Sequence, residues 1–222
     1  MIPSRLFSIA VLFVYVCSGK EPPKLPLKWT ARINITAHHV DKTKDYPPWL
    51  KRMKVLYDYE NKRFRAEFEH TNRTVIRRYD QGKEFLVTRV DEFIDCRKSK
   101  VRESMPAPSL PKEAFYVGED FVLKEKCDHW QEDFGTLQVD IYFSIKTGAL
   151  VRVQVETVEK TEPVRLTMPD LTYDVFEFEE GSPKEELFAL PADVKGGEEG
   201  CERQPNDIGF PYVHIFHHYY RA

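Results

Sequence analysis

Cys127-Asp128-His129 sets a thiol, a carboxylate and an imidazole side by side, the residue types of a nucleophile with its base. Catalytic cysteine and histidine are ordinarily brought together by the fold from distant positions, so adjacency in sequence carries little weight. The tail from Tyr212 to Tyr220 holds His214, His217 and His218, and imidazole suits zinc, copper and nickel. In an extended segment His214 and His217 fall on opposite faces, while His214 and His218 share one but stand about 13 Å apart. Glu177, Glu179, Glu180, Glu185 and Glu186 could collect calcium, which takes oxygen ligands, yet they lack the spacing of an EF-hand loop. The nucleophile elbow, the P-loop, HExxH and the dinucleotide fingerprint are all missing from the chain. These residues predict no catalytic site, no metal and no cofactor.

The amino terminus carries a different kind of information. Arg5, an apolar run from Leu6 to Val16 and then Cys17-Ser18-Gly19 follow the charge, core and cleavage order of a secretory signal peptide. The run is about eleven residues, against the twenty or so that span a bilayer. The mature chain is therefore expected to start near Lys20, to be soluble rather than membrane-spanning, and to reside in an oxidising compartment: secreted and extracellular, or lumenal or endolysosomal. Two sequons, Asn34-Ile35-Thr36 and Asn72-Arg73-Thr74, fit a glycosylated secreted surface. With Cys17 in the leader, Cys96, Cys127 and Cys201 remain, which permits one disulfide and one spare thiol in any of three pairings. A net charge of −3 with mixed signs throughout argues against nucleic acid, which rewards a basic face.

The elements that must carry any site are strands. Leu137, Val139, Ile141, Phe143 and Ile145 alternate with polar neighbours, Lys146-Thr147-Gly148 turns the chain, and Ala149, Val151, Val153 and Val155 alternate in return. Successive side chains of a strand point to opposite faces, so each run places its apolar residues on one side. Met53 to Tyr59 and Phe64 to Phe68 form a second hairpin about Glu60-Asn61-Lys62. Val75 to Tyr79 and Phe85 to Val90 form a third about Asp80-Gln81-Gly82-Lys83. Trp29 to Ala37 is an early strand and Leu166 to Phe178 a late one, where the apolar parity shifts between Val175 and Phe176 and predicts a bulge or two buried faces. Glu119 to Trp130 is ambiguous, and Pro183 to Leu187 is at most a turn of helix. The prolines of Asp41–Trp49 and Ser104–Pro111 keep both segments out of a sheet. About eight to eleven antiparallel strands follow, which must bury their apolar faces in a sandwich or a closed or half-open barrel.

Tyr57, Tyr59, Phe64, Phe68, Phe85, Phe143, Phe176 and Phe178 all fall on these strands. In a sandwich they fill the core; in a curved, half-open sheet they line a deep apolar pocket. Periodicity does not separate the two. Tyr57, Phe64, Phe68, Phe85, Phe143 and Val153 are expected to point inward.

Met53 to Arg65 (M-K-V-L-Y-D-Y-E-N-K-R-F-R) resembles the strand, "YD", short turn and R-hydrophobic-R opening of ependymin-related proteins. Asp80-Gln81-Gly82 to Cys96 resembles their second hairpin, and Leu187-Phe188-Ala189-Leu190-Pro191 before Cys201 resembles their closing segment. Lys126-Cys127-Asp128 and the late cysteine are also similar to the non-catalytic amino-terminal region of counting-factor-associated papain-type proteases. The resemblance covers about residues 50 to 201. It implies a LolA-like fold of two stacked antiparallel sheets around a deep hydrophobic pocket, with a lipid or other hydrophobic small molecule as ligand. It also implies a Cys96–Cys201 disulfide with Cys127 free. Residues 1–19 then form the leader, 20–204 the β domain and 205–222 an aromatic, His-rich tail. The expected function is non-enzymatic binding of a hydrophobic ligand. The alternative is an adhesion or interaction module, acting through a homodimer or an extracellular protein partner, or a protease-associated regulatory domain.

Overall fold

A computed structural model describes residues 20–21, 23–38, 52–69, 71–110, 113–133, 135, 137–157 and 170–205. The leader, the loop at 41–49 and the His-rich tail lie outside them. Twelve strands form one sheet: β1 (Lys28–His38), β2 (Arg52–Asp58), β3 (Arg63–Phe68), β4 (Arg73–Arg78), β5 (Lys83–Val90), β6 (Phe93–Lys100), β7 (Phe115–Val122), β8 (Glu125–Asp133), β9 (Leu137–Ser144), β10 (Leu150–Thr157), β11 (Asp170–Glu180) and β12 (Glu202–Arg203). Their order is β12-β6-β5-β4-β3-β2-β1-β11-β10-β9-β8-β7. β1 is the keel. From it β2 to β6 run outward as a meander, the chain crosses to the far edge, and β7 to β11 return to β1. Eleven strands pair antiparallel, as alternation predicts, and β12 adds a two-residue parallel contact to β6. The all-β reading holds, with one difference: because β1 bonds both β2 and β11, the two expected sheets are one continuous, unclosed sheet.

A flat sheet of this width would expose one of its apolar faces. Instead, residues from β1 to β5 and from β8 to β11 share one buried cluster that includes Trp29, Tyr57, Phe68, Trp130, Phe143 and Tyr173. A fully buried side chain of this size contributes roughly 1.5–3 kcal/mol. The crossover after β6 lies over this face rather than around it. Met105 joins the cluster, the Tyr57 hydroxyl donates to the Pro106 carbonyl, and Ser109 bridges to Lys24. Bulges bend the sheet to suit. Between Thr30 and Arg32 the partner strand advances from Glu179 to Phe176, one residue extra, and Glu177 takes a φ of 49° to accommodate it. The parity shift in the late strand is this bulge: Val175 packs into the cluster, and two residues past the exposed Phe176, Phe178 turns in to stack on Trp29 at 5.5 Å. The ambiguous stretch from Glu119 is the β7–β8 hairpin, turned at Leu123 and Lys124, both at positive φ.

Candidate functional site

The apolar face is built by register. Tyr57 lies opposite Phe64, Met53 opposite Phe68, and Val153 opposite both Tyr173 and Ile141. Tyr57, Phe64, Phe68, Phe143 and Val153 are all buried in the shared cluster. Phe85 is not with them. Leu86 faces Val75 on that side, while Phe85 lies opposite Ile76 on the other and packs with Val87, Cys96, Val194 and Cys201. Phe85-Leu86-Val87 is apolar at three consecutive positions, so alternation leaves its parity undecided and the pairing with β4 decides it.

Two side chains of β8 bring polar atoms to the apolar face. On β8, Trp130 lies opposite Ile141 and Glu132 opposite Val139, so both point into the cluster. Trp130 is 1% and Glu132 4% exposed, yet among the described residues the Trp130 Nε1 proton and the Glu132 Oε2 oxygen have no hydrogen-bond partner. Tyr116 packs against the Trp130 ring at 5.4 Å. Buried polar atoms are nearly always paired, because leaving one unpaired costs about 1–3 kcal/mol. Burial, with the Glu113 carboxylate adding to it, pushes the Glu132 carboxyl from 4.5 up to about 7. The face thus carries a neutral acid below pH 7 and an indole donor, about 7 Å apart at the spacing of alternate strand residues. Sequence reading passed over both, because Gln131-Glu132-Asp133 looks like a solvated run; the signal was Trp130, two residues before Glu132 and so on its face.

A titration follows from this burial. The folded protein keeps the Glu132 proton to about pH 7, whereas the unfolded chain releases it near 4.5. The penalty is absent below pH 4.5 and grows as pH rises through 7, so stability falls over that window. Glu132→Gln is expected to remove this fall and to stabilise the ligand-free protein at pH 8 by on the order of 2 kcal/mol. Urea unfolding at pH 5 and pH 8 measures it.

The remaining candidates take separate places. Cys96 and Cys201 form a disulfide with Cα atoms 4.6 Å apart, and Cys127 is free and buried. Cys127 packs with Val122, Tyr142 and Val151. Burial first, then the Glu125 charge, push its thiol up. His129 commits Nε2 to Asp140 Oδ1 at 2.7 Å and stacks on Tyr142. Burial alone would raise Asp140, but hydrogen bonds from His129, Gln138 and Gln131 outweigh it and hold the carboxyl below its usual value. Asn72 is exposed in the β3–β4 turn, and Asn34 is half-buried within β1 between β2 and β11. In the acidic run Glu177 pairs with Arg32 at 3.3 Å and Glu185 with Arg63 at 2.9 Å.

Fold and face together define a class: an all-β protein whose single open sheet buries one aromatic-rich side. A conserved, uncharacterized protein from Thermus thermophilus has a similar structure, with a TM-score of 0.50 at 11% identity over 81% of this chain and 92% of that one. A structure of the MucA/MucB complex of Pseudomonas aeruginosa matches at a TM-score of 0.43 and 10% identity, over 75% of this chain and 56% of that one. At such identities the first is a likeness of fold, and the second is too distant to argue from. No protein family model matches the chain, and no curated protein matches it.

Proposed function

We propose that this is a secreted, non-enzymatic glycoprotein that holds a lipid or another amphiphile against the apolar face of its sheet. The observation that carries the reading is a pair of polar atoms, Trp130 Nε1 and Glu132 Oε2, that find no partner among the described residues inside a mainly apolar, aromatic-rich cluster. An interior that is merely packed gains nothing from them. An amphiphile inserted into the cluster gives both a partner: with its chain against Tyr57, Phe68 and Phe143, which are closed off from solvent without it, its carbonyl or hydroxyl meets the indole N–H and the carboxyl. The resemblance to ependymin-related proteins and their LolA-like pocket supports the same ligand class. Apolar burial at roughly 25 cal/mol per Å² sets the affinity, so selectivity among chain lengths is loose.

Native mass spectrometry of protein purified from a eukaryotic secretory host tests the reading. A lipid-sized adduct is expected, retained more weakly by Glu132→Ala at equal folded content. Adduct-free protein that also binds no fatty acid or lysolipid in titration defeats it and leaves the interaction module. The secreted product is expected to begin within a few residues of Lys20, which amino-terminal sequencing reads directly. A retained segment 1–19 overturns the secretory assignment.

A further inference from the structure

The side of the sheet opposite the apolar face carries a concavity. A cleft of about 1220 Å³ lies between the β6 edge and the Glu198–Pro205 segment, with Gln81, Lys83 and Phe85 completing its wall. The Cys96–Cys201 disulfide and the β12 contact clamp that segment in place, and the Gln204 amide donates to the Lys98 carbonyl at 2.8 Å. Gly200 permits the final turn, since a Cβ there would meet the Lys195 carbonyl oxygen at 1.9 Å.

The charge of this cleft opposes that of the chain. The protein is net −3, yet the lining has five cations, Lys83, Lys98, Lys100, Arg102 and Arg203, against Glu198 and Glu199. Glu198 is already engaged: its carboxylate takes Lys83 at 2.9 Å and its carbonyl takes Lys98 at 2.8 Å. Among the described residues the side chains of Lys100, Arg102 and Arg203 have no ion-pair or hydrogen-bond partner. The register makes the arrangement costly, because Lys83 lies directly opposite Lys100 and like charges facing across strands are destabilising. A solvated surface would mix the signs, as the rest of this protein does. Guanidinium groups form paired hydrogen bonds to the planar or tetrahedral oxygens of an oxyanion, and cations gathered on low-dielectric walls focus a field on an incoming anion.

We infer that this cleft binds a small molecule carrying several phosphate or sulfate groups, through Lys100, Arg102 and Arg203. Its volume is far beyond one oxyanion, and its three open cations are spread over β6, the following loop and β12, so one ligand must present several charges at once. The site is independent of the amphiphile on the other face.

Calorimetric titration of the full protein at low salt with inositol hexakisphosphate, sucrose octasulfate and inorganic phosphate decides the matter. At least one multivalent probe is expected to bind at least tenfold more tightly than inorganic phosphate, and which one wins identifies the group. Replacing the three open cations together (K100Q, R102Q and R203Q) should weaken that binding tenfold or more with no loss of thermal stability. A control triple with the same charge change on exposed turns (K62Q, K124Q and K146Q) should move it less than twofold. No binding of either multivalent probe at millimolar concentration overturns the inference, as does equal weakening by the two triples or a multivalent probe no tighter than inorganic phosphate.

Discussion

Removing the disulfide by the paired change Cys96→Ala and Cys201→Ala is expected to lower unfolding free energy by about 4 kcal/mol. The bridge joins positions 105 residues apart, so it restrains nearly half of the unfolded chain. The chain-entropy model values such a loop at roughly 4.7 kcal/mol, an upper figure for a real protein. What opposes the loss is modest. β12 bonds to β6 through only two residues, and the cluster beneath holds Ile76, Phe85, Val87 and Val194. The segment should therefore loosen before the sheet does. Hydrogen exchange would show residues 191–205 losing protection early, while β2, β9 and β11 keep theirs. If the variant does not accumulate, comparing oxidised with reduced wild-type protein in urea reads the same quantity. A loss under about 1 kcal/mol would mean that the unfolded chain is already compact about this pair.

The strands were legible because half-burial writes itself as period two. The β9–β10 and β2–β3 hairpins alternate, and the turn residues within them are the polar and glycine types that turns select. β6 was less visible: Phe93-Ile94-Asp95-Cys96-Arg97-Lys98-Ser99-Lys100 is charged at half of its positions, as a strand beside the sheet edge can be. The disulfide pairing came from resemblance, since counting left three choices. Sheet topology was not legible, because alternation states which residues share a face and not which strands lie side by side. Phe85 shows the limit, turned outward by its partners within an apolar triplet. The candidate site was the least visible part. Glu132 becomes a buried acid only once β8 is laid beside Val139 and Trp130 is seen to face the same way. The basic cleft likewise needs Arg203 brought back from the carboxy-terminal segment to β6.

Arg77→Met is expected to cost about 3–5 kcal/mol, because it strands a buried carboxylate rather than because it removes an attractive pair. Arg77 and Glu84 lie opposite each other on β4 and β5, on the same face as Val75 and Leu86, and Glu84 is fully buried. Arg77 Nε donates to Glu84 Oε1 at 2.9 Å and its Nη1 to Glu103 Oε1 at 2.6 Å, while Ser99 Oγ donates to the other Glu84 oxygen at 3.3 Å. Burial pushes the Tyr79 phenol up to about 12, so it stays neutral beside the guanidinium. With Arg77 gone, Glu84 is left as a buried carboxylate without its guanidinium partner. The second change separates this cause from lost packing. Arg77→Met with Glu84→Gln removes the stranded charge and should recover about half of the loss at pH 8. Urea unfolding of the four proteins of this cycle at pH 8 reads the loss and its recovery. Equal loss in the single and double variants would show that Arg77 matters through its packed methylenes and not through its charge.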